Sequence, residues 1–410
     1  MRWHAVRCWL LVPALLAPVT AFAQRPSCAP DDGGLALPEG FCALKVADHL
    51  GSVRHLVVAA NGDLLVAVDG GGGGVVLLRD TDGDGHADLQ RHFGPGGGSG
   101  IALGGGYLYF STSSKVVRWP WPDGQLEPAG DAETIIDALP SSGDHHSKSL
   151  ALGGNAALYV NIGSATNSCQ ADNRASRSPG LVPCTELETR AGIWRFDRAR
   201  PGQHQADGTR FATGIRNAVA LAIQPGTGTL FAAVNGRDQL GGNWGYPDEK
   251  NAELPAEEFA ELHQGTDLGW PYCYYDQFLG KLVQAPEYGG DGLRIGPCAE
   301  KQPPLIGFPG HWAPLGLVFY EGNQFPAAYQ GGAFIAFHGS WNRAPLPQAG
   351  YRVVFVPFAG GRPTGEYSTF ATMADKPTGL RPTGIAVGPD GSLYIGSDAS
   401  QSIWRVMVKQ

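Results

Sequence analysis

The sequence lacks the motifs and residue patterns of several common protein classes. It contains neither Cys-x-x-Cys nor Cys-x-x-Cys-His, so a cysteine-based metal site and covalently attached c-type haem are not expected. Acidic residues outnumber Lys and Arg by 38 to 30 and no basic stripe is present, which argues against nucleic acid as a partner. Beyond residue 23 no apolar run is long enough to span a bilayer, so we expect no transmembrane anchor.

The first 23 residues have the pattern of a secretory signal peptide. Two arginines precede an apolar run that contains LLVPALLAP, and the letters AFA at positions 21–23 form a small-x-small cleavage pattern. We therefore predict a signal peptide over residues 1–23, followed by a single propeller domain over residues 24–410. The expected location is the periplasm or the extracellular medium.

Six cysteines remain when Cys8 is removed with the signal peptide, and they fall in three close couples. An even number of cysteines in an exported chain is typical of disulfides, although several pairings are open. The nearest-neighbour pairing is the one we predict: Cys28 with Cys42, Cys169 with Cys184, and Cys273 with Cys298.

Glycine and proline are abundant, with 60 and 31 residues, and they divide the chain into short apolar runs with little helical periodicity. One pattern, a glycine-containing turn followed by an alternating apolar strand and a polar exit, occurs six times, at 61–70, 105–113, 154–163, 226–236, 331–340 and 389–398. Several copies are followed by a second strand of similar character. This repetition predicts an all-β fold, a six-bladed β-propeller, and disfavours the competing β-sandwich.

In a propeller, the residues just before the inner strands gather around the central channel, so groups that are distant in sequence converge there. The groups in such positions are His145 and His146 before the third repeat, Arg216 and Asn217 before the fourth, His311 before the fifth, and Arg381 before the sixth. Arginine and histidine side chains in one cavity are suited to binding a polyanion and to moving a proton.

Seven further segments occur in order over residues 40–408: GDHHSKSLALGG, TGIRNAVALAI, AAVNGRDQLG, EEFAELHQGTDLGWPYC, GHWAPLGLVFYEGNQFP, AFHGSWNR and LRPTGIAVGPDGSLYIGSD. This ordered set resembles the glucose/sorbosone dehydrogenase family of soluble six-bladed quinoproteins, and the GWP and HGSWNR pieces resemble the sorbosone branch more. The resemblance implies an enzyme that uses pyrroloquinoline quinone (PQQ) and calcium to oxidise an aldose, or a sugar aldehyde such as sorbosone.

The resemblance gives roles to particular residues. His145 matches the family's general base, which would remove the proton of the sugar hydroxyl while a hydride moves to the quinone. Asp144 would orient the imidazole, and the adjacent His146 is expected to take no part. Arg216 would stabilise negative charge that develops on the quinone, and Asn217 would hydrogen-bond the cofactor. The alternatives are a solvated loop for the histidine and a surface turn for the Arg-Asn pair.

Other cofactor contacts depart from the pattern of the glucose dehydrogenase branch. Arg381 matches an arginine that faces the cofactor's carboxylates, but the second arginine of that branch is Thr383 here. His311 stands where those enzymes carry a threonine near the cofactor. Their lysine-bearing segment is replaced by AFHGSWNR, in which either His338 or Arg343 would supply the missing positive charge.

The resemblance also implies calcium. In the family, this ion bridges PQQ to backbone carbonyls of the segment that matches 235–237, which includes Gly236 and Arg237, and it acts as a Lewis acid. Glu257 and Glu258 match an acidic pair at a second calcium site, although the expected tyrosine ligand is Leu268 here. Solvated surface charge is the other interpretation of the pair.

A separate stretch, DTDGDGHAD, resembles the front of a calcium-binding loop. Asp80, Asp82 and Asp84 alternate, Gly85 permits a sharp turn, and Asp88 follows. The twelfth position is not a glutamate, however, and no flanking helices are evident. The alternative is an acidic β-turn between two strands of the first blade.

Two other functions remain open, a calcium-dependent propeller lactonase and a non-catalytic carbohydrate-binding propeller. A lactonase needs carboxylate and asparagine side chains around a central metal, whereas Arg216, Arg381 and His145 favour the quinoprotein. Electrons would then leave through a separate acceptor, a cytochrome or a quinone, because no haem motif is present. The cysteine-bearing stretches 164–190 and 238–300 are expected to shape the substrate entrance.

Overall fold

The computed structural model describes Met1 and residues 26–409. The predicted signal peptide and its cleavage site lie outside these residues, apart from Met1. Within the described chain the α-helices are short: α1 (Glu186–Thr189), α2 (Leu240–Trp244) and α3 (Asp248–Glu253). The 3₁₀ helices span Asp32–Gly34, Gln205–Asp207, Pro286–Tyr288, Gly296–Glu300, Ala327–Tyr329 and Pro377–Gly379. None of these described helices has the length and hydropathy of a membrane span.

The strands of the first half of the chain form two leading strands and three sheets. The leading strands are β1 (Leu35–Ala36) and β2 (Phe41–Ala47). The first sheet contains β3 (Ser52–Val58), β4 (Leu64–Asp69), β5 (Gly74–Arg79) and β6 (Leu89–Phe93). The second contains β7 (Gly100–Gly104), β8 (Tyr107–Ser111), β9 (Val116–Pro120) and β10 (Glu133–Ile136). The third contains β11 (Leu150–Leu152), β12 (Ala157–Ile162), β13 (Gly192–Asp197) and β14 (Thr209–Thr213).

The second half forms three more sheets and two small hairpins. The fourth sheet contains β15 (Ala220–Ile223), β16 (Leu230–Val234) and β17 (Glu257–Leu262). The next strand, β18 (Thr266–Asp267), extends the third sheet, and β19 (Cys273–Asp276) pairs with β20 (Lys281–Gln284) as a separate hairpin. The fourth sheet is completed by β21 (Ile306–Phe308). The fifth contains β22 (Pro314–Phe319), β23 (Ala333–Phe337) and β24 (Arg352–Val356); after the hairpin β25 (Phe358–Ala359) and β26 (Arg362–Pro363), β27 (Ser368–Met373) completes it. The sixth contains β28 (Pro382–Val387), β29 (Leu393–Ser397) and β30 (Ser402–Val408).

The six sheets are the blades of a β-propeller, as the repeats predicted. The first strands of successive blades, β3, β7, β11, β15, β22 and β28, contact one another in a closed ring around the channel. The ring is closed by the start of the chain, because β2 pairs with β30 as the outer strand of the sixth blade and β1 pairs with β27 of the fifth. Closure of this kind leaves few open sheet edges.

The repeated segments occupy a different position within the blade from the one that we expected. They are the second strands, β4, β8, β12, β16, β23 and β29, and a further strand lies between each of them and the channel. The innermost strands give a weaker signal because they are short, as β11 with three residues shows, or interrupted by Gly and Pro. The consequence for the site is unchanged, since the loops before the innermost strands still meet at the channel.

Apolar side chains of neighbouring blades pack face to face and form most of the core. One cluster joins the last blade to the first and includes Leu44, Val66, Val76 and Ile403, all almost fully buried. At roughly 1.5–3 kcal/mol for each large aliphatic side chain removed from water, such clusters hold adjacent blades together.

All three predicted disulfides are present: Cys28–Cys42, Cys169–Cys184 and Cys273–Cys298. The first ties the start of the described chain to β2. The second closes a loop within the long connection between β12 and β13, and the third joins β19 to the 3₁₀ helix at Gly296–Glu300. Each of the two cysteine-bearing stretches, 164–190 and 238–300, therefore contains a disulfide.

Candidate active site

Loops from three consecutive blades enclose a cavity of about 340 Å³ at one end of the channel. In each blade the first strand runs away from this end and the second returns to it, so residues before the first strand and after the second share one face. Seven residues that the sequence predicted for the site line the cavity: Asp144, His145, Arg216, Asn217, Gly236, Glu257 and His311. Residues more than 160 positions apart are thus brought together, as expected.

The imidazole of His145 is held at Nδ1 by Ser164. Nδ1 lies 2.9 Å from the hydroxyl oxygen of Ser164 and 3.0 Å from its carbonyl oxygen. That hydroxyl donates its own proton to the carbonyl of Thr166 at 2.6 Å, so it accepts from the imidazole, and the carbonyl can only accept. Nδ1 therefore carries the proton. Nε2 keeps its lone pair, and no described residue hydrogen-bonds to it.

His145 is neutral over the physiological pH range. Burial, reinforced by the positive charge of Arg216, lowers the pKa of His145 to about 3. A histidine that is neutral and has a free Nε2 beside a cavity is able to accept a proton from a bound hydroxyl group.

Gly163, at the end of β12, makes room for this arrangement. A Cβ atom at that position would lie 2.6 Å from Cβ of His145 and 3.0 Å from Oδ1 of Asn217. Real Cβ atoms do not approach so closely, so the absence of a side chain at Gly163 lets the loops of the third and fourth blades meet.

Asp144 has a different partner from the one that we expected. Its Oδ2 accepts from Nε of Arg174 at 2.9 Å, and no hydrogen bond joins it to the imidazole within the described chain. Although partial burial acts in the opposite direction, the guanidinium of Arg174 holds the pKa of Asp144 below its usual value. Ser164, rather than Asp144, orients His145, because the Asp144 side chain turns toward the disulfide-closed loop that carries Arg174.

Arg216 is buried and forms an ion pair with Asp238. Its Nη2 donates to Oδ2 of Asp238 at 3.0 Å and to Oδ1 of Asn167 at 3.0 Å, and its Nε donates to the carbonyl of Asn167 at 3.1 Å. Arg174 reaches the same carboxylate oxygen of Asp238 at 3.0 Å. Burial opposes ionisation of Asp238, but Arg216, His311 and Arg174 hold the pKa of Asp238 far below its usual range.

Two asparagines continue the cavity wall from Arg216. Oδ1 of Asn217 accepts from Nδ2 of Asn161 at 3.0 Å, which fixes the amide so that Nδ2 of Asn217 is the free donor. Nδ2 of Asn235 donates to the carbonyls of Asn217 and Pro314, at 3.3 and 3.0 Å, which leaves Oδ1 of Asn235 without a partner among the described residues.

His311 closes the site from the fifth blade. Its Nε2 lies 2.7 Å from the carbonyl of Asn251, so Nε2 is the donor, and its Nδ1 lies 3.7 Å from Oδ1 of Asp238. It is buried and has a left-handed backbone with φ +66°. His311 therefore helps to surround the Asp238 carboxylate.

The predicted metal-binding residues do not form one site. Glu257 and Glu258 are successive residues of β17, so their side chains point to opposite faces, and the expectation of an acidic pair at one ion is wrong. Glu257 lines the cavity, and its two oxygens accept from the main-chain N–H groups of Gly236 and Ala313, at 2.8 and 3.1 Å. Glu258 lines a separate, smaller cavity, where burial and the charge of Glu257 raise its pKa to about 8.

The Arg237 side chain is also turned away from the cavity. It is buried, and its Nη1 donates to Oε1 of Glu287 at 2.5 Å. Only the main chain of this residue is therefore placed to serve a ligand beside Gly236. Burial raises the pKa of Glu257, the one carboxylate of the predicted acidic pair that faces the site.

Three predicted cofactor contacts lie outside the cavity lining. Arg343 is buried and donates to the carbonyls of Ala252 and Gly310 and to the carboxylate of Glu253, so it holds loops together and cannot replace the family's lysine. His338 is held between Asp398, 2.9 Å from Nε2, and Arg381, whose Nη2 lies 3.1 Å from Nδ1.

Arg381 makes further hydrogen bonds, to main-chain carbonyls of the loop that follows β23. It also donates to the carbonyls of His338 and Gly339, at 3.3 and 3.1 Å. Its guanidinium is therefore fixed by the protein rather than extended into the cavity.

The acidic loop of the first blade lies between β5 and β6. Asp80, Asp82 and Asp84 each offer an oxygen within 4.8 Å of the others. Asp88 does not join them, because its carboxylate accepts from the main-chain N–H and the hydroxyl of Thr81, at 3.2 and 2.6 Å. The four-residue calcium set is thus reduced to three exposed or half-buried carboxylates in a turn.

Several residues of the site were not predicted from the sequence, among them Trp341 and Asn342 of the fifth blade. Asp238 directly follows the Asn-Gly-Arg segment that drew attention, so its position was a signal. Ser164 and Gly163 end the third repeat, but nothing in the sequence pairs them with His145. Arg174 reaches the site only through the folded path of the cysteine-bearing loop, which spacing does not reveal.

Comparison with known proteins assigns the chain to a family. Residues 35–409 match the model of the TrAA12-like family. The chain belongs to this family. It is 29% identical over 169 residues to a pyrroloquinoline quinone-dependent pyranose dehydrogenase of Coprinopsis cinerea. The matched part covers 34% of this chain and 22% of that protein. Over 201 residues it is 32% identical to an uncharacterized protein of Borreliella burgdorferi, which covers 48% of each. The matched part is less than half of either relative.

Solved structures agree with the fold over nearly the whole chain. The holo PQQ domain of pyranose dehydrogenase from Coprinopsis cinerea has a TM-score of 0.75 at 20% identity, covering 94% of this chain and 98% of that one. A calcium structure of the Trichoderma reesei protein of carbohydrate-active enzyme family AA12 has a TM-score of 0.76 at 20% identity, covering 95% and 100%. PQQ-bound aldose sugar dehydrogenase from Streptomyces coelicolor has a TM-score of 0.57 at 19% identity, covering 91% and 100%. The resemblance to PQQ-dependent sugar dehydrogenases is confirmed.

Proposed function

We propose that this TrAA12-like protein is a PQQ- and calcium-dependent sugar dehydrogenase that oxidises an aldose or a sorbosone-like sugar aldehyde to a lactone or acid. The observation that carries the proposal is the state of His145: neutral, protonated at Nδ1, and with a free Nε2 at the wall of a polar cavity. The relatives described as PQQ-dependent sugar dehydrogenases support the choice of cofactor.

The residues at the cavity suit a planar, anionic quinone. Nη1 of Arg216 and Nδ2 of Asn217 have no protein partner in the described chain and supply donors for carboxylate and carbonyl oxygens. Oδ1 of Asn342 is a buried acceptor without a partner, which is the kind of atom that a bound group satisfies. Arg216 and Asn217 would therefore hold the cofactor, whereas His338, Arg343 and Arg381 would act through the surrounding loops.

Calcium would be held by oxygen atoms next to Gly236. Oδ1 of Asn235 is free of protein partners among the described residues, and a carboxamide oxygen suits a hard cation, as do the main-chain carbonyls of the same segment, 235–237. When bound, PQQ would supply an acceptor for the hydrogen and electron pair of the sugar C–H bond.

The chain's own residues carry out the proton transfer and the positioning. Nε2 of His145 accepts the proton of a hydroxyl on the reacting carbon, which is the anomeric hydroxyl of a cyclic aldose or one hydroxyl of an aldehyde that has added water. A C=O bond then forms as the O–H and C–H bonds break. Ser164 keeps Nδ1 protonated and the ring in place. Asp238 holds Arg216 in a fixed orientation, in which the positive charge of Arg216 would stabilise negative charge on the oxygens of a bound quinone.

The same contacts disfavour a lactonase. A hydrolase of that type needs carboxylates that are free to hold a central metal. Here the carboxylates of Asp144 and Asp238 are bound by arginines, and that of Glu257 is bound by two main-chain N–H groups.

Two further parts of the proposal concern the cell rather than the cavity. Three disulfides are typical of an oxidising compartment, which supports the periplasm or the extracellular medium as the location. Electrons would pass from the reduced cofactor to a separate cytochrome or quinone.

The test compares two adjacent histidines. The purified chain is supplied with PQQ and Ca²⁺, and reduction of an artificial dye is followed with a panel of aldoses and sorbosone. We expect turnover only when both are present, and His145→Ala to lower kcat at least about 100-fold, as loss of a general base does. His146→Ala is the matched control, because that side chain is exposed, and it should leave the rate unchanged. Equal activity of the two variants would contradict the role of His145.

A further inference from the structure

The acidic loop between β5 and β6 lies at the end of the channel opposite the candidate active site, because β5 runs away from that site. The loop is held against the sixth blade, since the main-chain N–H of Ala87 donates to the carbonyl of Val46 in β2 at 2.8 Å. At Gly85, which has φ +94°, a Cβ atom would lie 2.7 Å from Cδ2 of Leu44. Only glycine lets the loop approach β2 so closely. The loop therefore spans the junction that closes the ring.

Three carboxylates of this loop, those of Asp80, Asp82 and Asp84, each offer an oxygen within 4.8 Å of the others. Main-chain N–H groups hold them in place. The two oxygens of Asp80 accept from the N–H groups of Gly83 and Gly85, at 2.7 and 2.8 Å. The second oxygens of Asp82 and Asp84 have no hydrogen-bond partner in the described chain. Oxygen atoms thus remain free to bind a ligand.

The charge of the loop is not balanced by the protein. Arg79 and Arg405, which lie at the same end of the channel, pair with Asp63 and Asp390, at 2.6 and 2.9 Å. No Lys or Arg among the described residues forms an ion pair with the three loop carboxylates. Negative charges so close together repel one another unless a cation lies between them.

A buried hydroxyl group beside the loop gives independent evidence of a ligand. Tyr394 of β29 is only 4% exposed and lines, together with Asp80, a cavity of about 310 Å³ between the first and sixth blades. No described residue hydrogen-bonds to its hydroxyl, although a buried tyrosine usually finds a partner. Burial raises the pKa of Tyr394 to about 12, and the charge of Asp80 acts in the same direction. The hydroxyl is therefore protonated, close to Asp80, and without a protein partner.

These features match a calcium ion better than the smaller magnesium ion. Calcium takes roughly six to eight oxygen ligands in a flexible geometry and keeps water in part of its shell, whereas magnesium demands a near-ideal octahedron. Alternating aspartates before a glycine, as in 80–85, supply such oxygens from one short loop.

We propose that loop 80–88 binds a calcium ion through Asp80, Asp82 and Asp84, and that this ion fastens the first blade to the sixth. A water molecule on the ion donates to the hydroxyl oxygen of Tyr394 and is the partner that the protein does not supply. The site lies apart from the quinone cavity, so the proposal is independent of the proposed dehydrogenase function.

The test uses Tb³⁺, a luminescent substitute for Ca²⁺, on the full chain without PQQ. Light absorbed by a nearby tyrosine is passed to bound Tb³⁺, so the part of the luminescence that Tyr394→Phe removes comes from an ion at this loop. Calorimetry gives the affinity for Ca²⁺ itself. The pair Asp82→Ala/Asp84→Ala removes two ligands, and Asp82→Asn/Asp84→Asn keeps the oxygens but removes two charges. Asp131→Ala, at an exposed aspartate in the corresponding connection of the second blade, is the matched control.

We expect the alanine pair to raise the Kd for Ca²⁺ at this site at least about 100-fold and the asparagine pair to raise it about tenfold, because ligand number and charge set the affinity. Tyr394→Phe should change the Kd less than about threefold, since it removes one water-mediated contact. Saturating Ca²⁺ should raise the thermal midpoint of the wild type about 3 °C more than that of the alanine pair. Asp131→Ala should match the wild type in every measurement.

Equal Ca²⁺ affinity and equal thermal shift for the wild type and the alanine pair, with both folded by circular dichroism, would overturn the inference. Tb³⁺ luminescence that is unchanged in Tyr394→Phe would also overturn it, because the ion would then lie elsewhere. No PQQ is present in these samples, so a chain that fails to bind the quinone, which would contradict the proposed function, still gives a result for this site.

Discussion

At the scale of single residues, the chemistry of the site depends on how polar neighbours share protons. Ser164 sets the tautomer of His145. Its hydroxyl donates a hydrogen bond to the carbonyl of Thr166, so its oxygen accepts from Nδ1 of His145. The sequence correctly indicated that His145 reaches the cavity, because its place before an inner strand fixes that. The sequence indicated the wrong partner for orienting His145, because Asp144 accepts a hydrogen bond from Arg174 instead. Arg174 is 30 positions away, and its position depends on the path of a loop that the sequence does not reveal.

Adjacent glutamates show the same limit of sequence reasoning. The letters EE suggested one acidic site, but strand geometry sends the two side chains to separate cavities. Had β17 been assigned as a strand over these positions, the alternation would have been predictable. Contacts of buried arginines, such as Arg343 with three loop groups, are not predictable in this way, because they depend on tertiary packing.

Lys148 provides a residue-scale prediction about stability. It is fully buried, its Nζ donates to the carbonyl of His146 at 2.7 Å, and burial, with the nearby charge of Arg190, lowers its pKa to about 7. Between pH 7 and 10.5 the unfolded chain keeps a proton that the folded chain has lost, so the contribution of this lysine to the free energy of unfolding rises with pH.

We therefore expect the Lys148 side chain to add about 2 kcal/mol to the free energy of unfolding of the wild type as the pH rises from 7 to 9, and we expect Lys148→Met to lack this increase. The measurement is urea unfolding at several pH values, with Lys115→Met, at a half-buried surface lysine, as the control. Parallel pH profiles for wild type and Lys148→Met would show that the folded chain holds this lysine in its ordinary charged state.

At the scale of elements, the junctions between blades place the catalytic groups. The repeats identified the second strand of each blade, because those strands have the longest alternating runs. The innermost strands were not recognised, since three residues in β11 carry too little pattern. Their loops were nevertheless located, because each precedes a repeat at a short distance.

Gly163 tests this junction at the end of β12. A methyl group there would clash with His145 and Asn217, so we expect Gly163→Ala to lower the free energy of unfolding by about 2 kcal/mol and, by displacing the base, to lower kcat roughly 100-fold. Gly154→Ala, in the turn before the same strand, is the matched control, because a Cβ at that position meets nothing within 4 Å. Urea unfolding and dye reduction measure the two effects. Equal free energies of unfolding and equal kcat values for the two variants would contradict the importance of the close approach at Gly163.

At the scale of the whole molecule, closure of the ring joins the two ends of the chain. The strand β2 pairs along its length with β30, and Leu44, almost fully buried, packs where the sixth blade meets the first. The sequence predicted this closure because six repeats fill one ring. It did not reveal that two leading strands complete two different blades, since β1 has only two residues.

Leu44→Ala should therefore destabilise the entire propeller. We expect a loss of about 3 kcal/mol from the cavity that the substitution leaves, with unfolding still occurring as one transition because the closing strand couples the first and last blades. Lys45→Ala, the next residue of β2 and only half-buried, is the control. Denaturant unfolding followed by tryptophan fluorescence and by circular dichroism would contradict the expectation if the two signals separated or if Leu44→Ala matched the control.

The most direct measurement is a titration of PQQ into the purified, folded chain in the presence of Ca²⁺, followed by absorbance. We expect binding of one equivalent per chain, a large loss of affinity in Arg216→Met, and sugar-dependent reduction of the bound quinone. A folded, calcium-supplied chain that binds no PQQ would contradict the central claim that the cavity around His145 and Arg216 is a quinone site.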